Sequence, residues 1–259
     1  SESVVSDLLR DLQYDVHGDV VFCGSYARDL FVGKANGQTG EMLWQDAQAG
    51  TYASASDQAV DLDIDAGGNL YVIGNVYEDD PGVNVEFQVK IWSCKYDING
   101  NRLFSAYQGS NLATFGMKYG ASARAVTHDS EGNLLALGVV VKVNDPKAYY
   151  YDGLYRQDIW VGSYIAEEPT WERYFSGTKT TAGVESSSTE VTSRSNAGGI
   201  FTDLLDGVHV YGNHDSQVTG QDGMYYVLDS QGNDKLLEPV RMNGLRDAED
   251  RSVFGTWMK

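Results

Sequence analysis

The residues of this chain that could do chemistry are carboxylates, tyrosines and four histidines, so the chemistry in reach is cation binding, aromatic contact or acid–base work. The densest acidic stretch is Val76-Tyr77-Glu78-Asp79-Asp80-Pro81-Gly82, which sets three carboxylates in one turn. Hard oxygen ligands grouped in this way suit calcium, which makes Glu78, Asp79 and Asp80 the candidate metal residues. Their spacing matches no EF-hand or nonapeptide calcium repeat, and a solvated acidic turn is the competing reading. No other cofactor is expected. In Asp61-Leu-Asp63-Ile-Asp65, strand alternation places three carboxylates on one side, where they could line a channel or face water.

The tyrosines concentrate in Asn144-Asp145-Pro146-Lys147-Ala148-Tyr149-Tyr150-Tyr151-Asp152-Gly153-Leu154-Tyr155. Tyrosine offers flat apolar area with a polar tip at small entropic cost, which suits a protein or carbohydrate surface. The candidate binding residues are therefore Tyr77, Asp79, Asp80, Asp145, Tyr149, Tyr150, Tyr151 and Tyr155. The bland alternative is that these rings fold back over their own loop. For catalysis the sequence offers little. His17, His128, His209 and His214 form no His-x-His or His-Glu-x-x-His, and Gly-x-Ser-x-Gly does not occur. Asp206, His209, His214 and Asp215 cluster in sequence but fall at opposite ends of one strand. No catalytic residue is assigned, and an active site assembled from several repeats is the alternative function.

The elements that must carry these residues form a repeat. Asp15-Val-His-Gly18-Asp19-Val-Val-Phe-Cys-Gly24 reads like Asp65-Ala-Gly-Gly68-Asn69-Leu-Tyr-Val-Ile-Gly74 and Asp129-Ser-Glu-Gly132-Asn133-Leu-Leu-Ala-Leu-Gly138, with a degenerate copy at Asp206-Gly207-Val-His-Val-Tyr-Gly212. Each is a tight turn followed by a short apolar strand ending in glycine. A second motif follows each time, as in Lys90-Ile-Trp-Ser-Cys-Lys-Tyr-Asp97-Ile-Asn-Gly100-Asn101-Arg-Leu-Phe104. Adding the strand before each first motif gives units of four strands, a to d. The glycines at 24, 74, 138 and 212 recur at steps of 50, 64 and 74 residues, in the range of propeller blades lengthened by insertions. The expected fold is all-β: a β-propeller of four-stranded antiparallel blades, in one domain over 1–259. Its repeats fall at about 8–49, 57–109, 121–177 and 189–243, with an extra strand at 251–259 that fits either a larger propeller or packing elsewhere. Strand d of the fourth unit is expected at Leu236-Leu237. Strand alternation sends the insertions Val76–Glu86, Val139–Gln157 and Gly177–Thr189 to one face, which is the expected contact face.

These motifs resemble the SBBP-type β-propeller repeat, best in Ala59–Phe104 and least in the fourth unit, which has lost the Asn and part of the turn. The resemblance implies a secreted or surface-exposed protein of adhesive or structural role, and says little about activity. The expected function is a non-catalytic binding or structural module, with an architectural repeat of a larger extracellular assembly as a further alternative.

Composition narrows the partners. Lys+Arg 19 against Asp+Glu 37 gives a net charge of −18, which repels phosphate backbones, so nucleic acid is not expected. No apolar run approaches the roughly 20 residues that span a bilayer as a helix, so membrane insertion is not expected either. The expected partners are a protein or carbohydrate surface, other copies, or a larger parent chain. Cys23 and Cys94 are expected to be free buried thiols, because packed sheets about 10 Å apart hold Cα atoms beyond the roughly 7 Å limit of a disulfide.

Overall fold

The computed structural model describes residues 7–79, 87–108, 121–143, 155–175, 195–216, 220–236 and 240–242. Sixteen strands form four four-stranded antiparallel sheets in strict chain order. Blade 1 holds β1 (Leu8–Tyr14), β2 (Val20–Tyr26), β3 (Asp29–Ala35) and β4 (Met42–Gln48). Blade 2 holds β5 (Gln58–Ile64), β6 (Leu70–Glu78), β7 (Gln88–Tyr96) and β8 (Arg102–Gln108). Blade 3 holds β9 (Ala121–His128), β10 (Leu134–Val143), β11 (Tyr155–Tyr164) and β12 (Pro169–Phe175). Blade 4 holds β13 (Ser195–Thr202), β14 (Val208–Ser216), β15 (Gly220–Leu228) and β16 (Val240–Met242). The first strands β1, β5, β9 and β13 pack side by side, which makes the sheets successive propeller blades around an inner row of strands. No helix occurs among the described residues.

Three cores hold the blades together, one per junction. Val21, Cys23, Leu30 and Val32 of blade 1 meet Leu62, Leu70, Val72, Trp92 and Cys94 of blade 2. Tyr71, Ile73 and Ile91 then meet Ala123, Leu134, Ala136 and Trp160, and Leu137, Ile159 and Val161 meet Ile200, Val208, Val210 and Met224. Both faces of β6 and β10, the second strands of the middle blades, are therefore buried, which is why they read as continuous apolar runs rather than alternating ones.

The glycine that closes each second strand has a steric cause. Every first strand carries a bulge opposite it, at Leu9/Asp11, Ala59/Asp61, Ala123/Ala125 and Ala197/Gly199. The bulge drives a carbonyl (Leu8, Gln58, Ser122 or Asn196) onto the glycine, so a methyl group there would overlap it. At Gly74, Gly138 and Gly212 the same space is also entered by the side chain of Leu30, Ile91 or Ile159 from the preceding blade.

Several expectations need correction. Leu236 lies just after the bridge between Leu228 and Asp234 and outside any strand, the described fourth strand of blade 4 spans Val240–Met242, and Leu237 lies outside the described residues. The insertions at Val76–Glu86 and Val139–Gln157 are in part extended hairpin, because β6, β7, β10 and β11 run 9, 9, 10 and 10 residues against seven in β2 and β3. Tyr77 and Tyr155 are accordingly strand residues, not loop residues. The Gly177–Thr189 insertion and the extra strand at 251–259 lie outside the described residues.

Cys23 and Cys94 are free and fully buried, and burial pushes both thiols up, Cys94 to about 12. An aromatic disulfide reagent at pH 8 should therefore modify neither thiol in the native chain and both after unfolding, which absorbance of the released thiolate would measure. Gly138→Ala should destabilise by about 1–3 kcal/mol through overpacking. In an Ile91→Ala background, which empties part of that space, the same change should cost visibly less in urea denaturation.

Candidate functional site

Most carboxylates of the blade turns are committed to the turns themselves. Asp65 Oδ1 accepts the N–H groups of Gly67 and Asn69, while Oδ2 accepts the Asn69 side-chain amide at 2.7 Å. Gly68, at φ +82°, closes the loop by donating its N–H to the Asp65 carbonyl. The same bonds recur at Asp97, Asp129 and Asp229, and the backbone part of the set at Asp15. At Asp97 the Asn101 amide, and at Asp229 the Asn233 N–H, hold the carboxyl below its usual range. Oxygens aimed at N–H donors are poor cation ligands, so this repeated acidity is scaffold rather than metal site.

In blade 4 the turn aspartate is Asp203, not Asp206. Asp203 Oδ1 accepts from Leu205 and Gly207, and Asp206 takes φ +56° where the other first-motif turns have glycine. Asp206 in turn clasps Ser130 of blade 3, accepting from its N–H at 2.9 Å and its hydroxyl at 2.6 Å.

The carboxylates of Asp61-Leu-Asp63 reach the next blade. Asp61 Oδ2 accepts the Val126 N–H at 2.8 Å, and Asp63 Oδ2 meets His128 Nδ1 at 2.8 Å and accepts from Thr127 Oγ1 at 3.0 Å. Asp11 makes the corresponding bond from blade 1 to the Leu62 N–H. Burial pushes Asp61 well above the usual carboxylate range, and the neighbouring Asp11 and Asp63 charges add to this. Asp61 and Asp63, which the sequence left either lining a channel or facing water, instead form a blade-to-blade latch. His128 stacks on Tyr71 at 5.0 Å, and its bond to Asp63 raises its pKa against the lowering effect of burial.

One further polar cluster sits on blade 4, on the side away from blade 3. His209 Nε2 lies 2.9 Å from Asp203 Oδ2, its Nδ1 meets the Tyr225 hydroxyl, and its ring stacks on Phe201 at 4.6 Å. The bond to His209 pulls Asp203 down to about 2. With both ring nitrogens engaged, the histidine orders Tyr225 rather than offering a free general base. At the tip of the same turn Leu204 and Leu205 are exposed.

The opposite face carries the described part of the predicted contact surface. Tyr77 packs against Phe87 at 5.4 Å and Tyr52 against Phe87 at 4.8 Å, giving a half-buried aromatic cluster at the base of the β6–β7 hairpin. Asp57 fixes the loop that brings Tyr52 there, accepting the Gly50 and Tyr77 N–H groups, and burial raises its pKa despite these bonds. Glu78 is tied to Thr51 by a 2.7 Å bond from the hydroxyl, and that hydroxyl accepts the Asp79 N–H at 2.7 Å. Among the described residues no group of three His, Cys, Asp or Glu is arranged to hold a metal ion. Asp80, Asp145, Tyr149, Tyr150 and Tyr151 lie outside the described residues, as does the Tyr155 side chain. The sequence reading missed Tyr52, Phe87 and Asp57. The signal available was Tyr52 and Asp57 in the link before β5, read only as connection.

With this geometry in view, no protein-family model matches the chain, and no curated protein matches it either. Among solved structures the chain is similar to a protein of unknown function from Bacteroides caccae, at 12% identity and TM-score 0.46, over 92% of this chain and 62% of that one. It is also similar to Drosophila Plexin A, solved in complex with Semaphorin 1b (8% identity, TM-score 0.29, 91% and 66% covered). A third is the WD40 domain of SCAP from fission yeast (9% identity, TM-score 0.26, 94% and 58% covered). The chain thus spans less than two thirds of the length of each. The blade order and register described above establish the propeller architecture without them.

The Asp63–His128 bond gives a pH dependence. A histidine whose pKa is raised on folding stabilises the fold most below its unfolded value of about 6.5, and that contribution fades as pH rises through the folded value. The melting temperature of the native chain should therefore fall from pH 5.5 towards pH 8.5 relative to that of Asp63→Asn. Parallel curves for the two proteins would contradict the assignment.

Proposed function

We propose that the chain is a non-catalytic binding module that contacts a protein surface through the face bearing the β6–β7 and β10–β11 hairpins. The observation that carries this reading is that the β6–β7 and β10–β11 hairpins, like β14–β15, outreach blade 1 on one face, with the Tyr52–Tyr77–Phe87 cluster at the base of the first. Aromatic rings held against a rigid scaffold lose little entropy on binding, and aromatic anchors carry most of the energy of an interface. Tyr149, Tyr150, Tyr151 and Asp145, in the connection from β10 to β11, extend the surface, and a carbohydrate ligand would use the same rings. Glu78, Asp79 and Asp80 serve as its acidic rim, and calcium is not required by it. The Asp-x-x-Gly-Asn loops are in keeping with an SBBP-type repeat in a secreted or surface-exposed protein.

The test is a partner found by cross-linking to the intact chain and then purified for titration calorimetry. Replacing Tyr149, Tyr150 and Tyr151 with Ser should leave the melting temperature nearly unchanged and weaken binding by about 30-fold or more, the loss of one hot spot of about 2 kcal/mol. Unfolding of this variant would make the tyrosines loop core. Binding that survives it but is lost with Leu204→Ser and Leu205→Ser would move the contact to the opposite face.

A further inference from the structure

Around the Tyr52–Tyr77–Phe87 cluster, negative charge is gathered without a counter-charge. Asp57 is buried there at 5% exposure, and the charges of Asp29 and Glu78 act on it. Asp79 follows Glu78 at an exposed position. Among the described residues none of Asp29, Asp57, Glu78 and Asp79 has a salt bridge, whereas Asp15, Asp46 and Asp234 each have one. Two neighbouring basic side chains are engaged otherwise. Arg28 Nη1 donates to the Ala53 carbonyl at 3.2 Å, and Lys90 Nζ sits 5.9 Å over the Tyr107 ring. Carboxylates held together in this way repel one another, and a cation placed among them removes the repulsion.

The rings beside these carboxylates are fixed in advance. The Tyr52 N–H donates to the Tyr77 carbonyl at 3.1 Å and the Asp57 N–H to the Arg28 carbonyl at 2.8 Å, so the link from β4 to β5 is tied on both sides. Gly50 in that link lies against the Tyr77 carbonyl, where a methyl group would overlap it. Tyr52, Tyr77 and Phe87 are half-buried, so part of each ring reaches the surface, next to the exposed Thr51 and Asp79. Glu78 uses Oε2 for Thr51, and its Oε1 has no partner among the described residues. An aromatic face attracts a cation through its quadrupole. A guanidinium stacks there while its N–H fork grips a carboxylate, whereas an ammonium is only a point charge.

We propose that this cluster receives arginine side chains of a basic partner protein, the guanidinium stacking on Tyr77 and Phe87 and pairing with Glu78 and Asp79. The inference rests on the binding face assigned above and names the chemistry which that face selects. Lys90 over Tyr107 is a cation already seated on a tyrosine beside the same hairpin. The net charge of −18 acts in the same sense at longer range, drawing a basic surface in, while the rings fix where it lands.

Titration calorimetry of the full chain with synthetic peptides of one length, rich in arginine, in lysine or in glutamate, tests this. The arginine peptide should bind, the lysine peptide should bind about threefold more weakly or worse, and the glutamate peptide should give no heat. Glu78→Gln keeps the Thr51 bond, and Phe87→Leu keeps apolar bulk without the ring. Each should weaken the arginine peptide by about threefold or more. Glu131→Gln removes the same charge from the turn on the opposite face and should leave the affinity unchanged. If Phe87→Leu does not fold, Glu78→Gln and the peptide comparison decide alone. Absence of binding, equal binding of the arginine and lysine peptides, or equal losses in Glu78→Gln and Glu131→Gln would overturn the inference, the last two as diffuse attraction to an acidic surface. A cross-linked partner weakened by the Tyr149, Tyr150 and Tyr151 changes, yet indifferent to Glu78→Gln and to about 0.5 M salt, would overturn the arginine contact and leave the binding face standing.

Discussion

The structure depends on one steric constraint: at a single point in each of blades 2 to 4 three chain segments meet with room for no side chain. A bulge in the first strand pushes a carbonyl towards the second strand, and the preceding blade inserts an aliphatic group into the same space. Only glycine at 74, 138 and 212 admits both. The contact fixes the register within the blade and the distance to its neighbour together. Large buried residues such as Trp92 and Trp160 can then fill the remaining volume, and both are fully inaccessible to solvent. Overpacking at this point would be felt along two blades at once, because interiors of this density do not yield locally.

The acidity of the chain has two structural uses. Aspartates at the turns saturate their oxygens with backbone N–H groups and the amide of a neighbouring asparagine, a local device that each turn completes alone. Aspartates on the inner strands of blades 1 and 2 instead reach across to amides of the next blade, which ties the stack where apolar contact is least. Lys34, buried between Asp15 and Asp19 at 2.6 and 3.5 Å, couples a turn to the blade body. The surplus of carboxylates is therefore poor guidance to a cation site, since so many are already occupied by donors.

What the sequence made legible follows from how local each signal is. The strand glycines and the Asp-x-x-Gly-Asn loops repeat because their constraints act within a few residues, so period and strand order could be read directly. Asp203 escaped because Asp206 stands where the other loops place glycine, and Asp206-Gly207 looked like the motif's start. Leu236 has the composition of a strand, while the described pairing with β15 runs over Val240–Met242. Asp61 and Asp63 showed their alternation but not their partners, which lie some 65 residues away. The contact face was inferred from insertion length, yet its described rings, Tyr52 and Phe87, flank segments that look like plain connections. Contacts between blades carry no periodic trace when only one copy makes them.

Each sheet is built from one unbroken stretch of chain, with strands paired in the order of their synthesis. Among the described residues no blade takes a strand from a distant segment, as happens in rings closed by a strand from the far terminus. Blade 1 has all its strand partners once Gln48 has emerged, and every later blade meets a finished template on one side. Contacts of this sort are short in sequence, and chains dominated by them fold quickly for their β content. The array can thus form during translation as a vectorial process, each new blade protecting the exposed face of the one before it from aggregation.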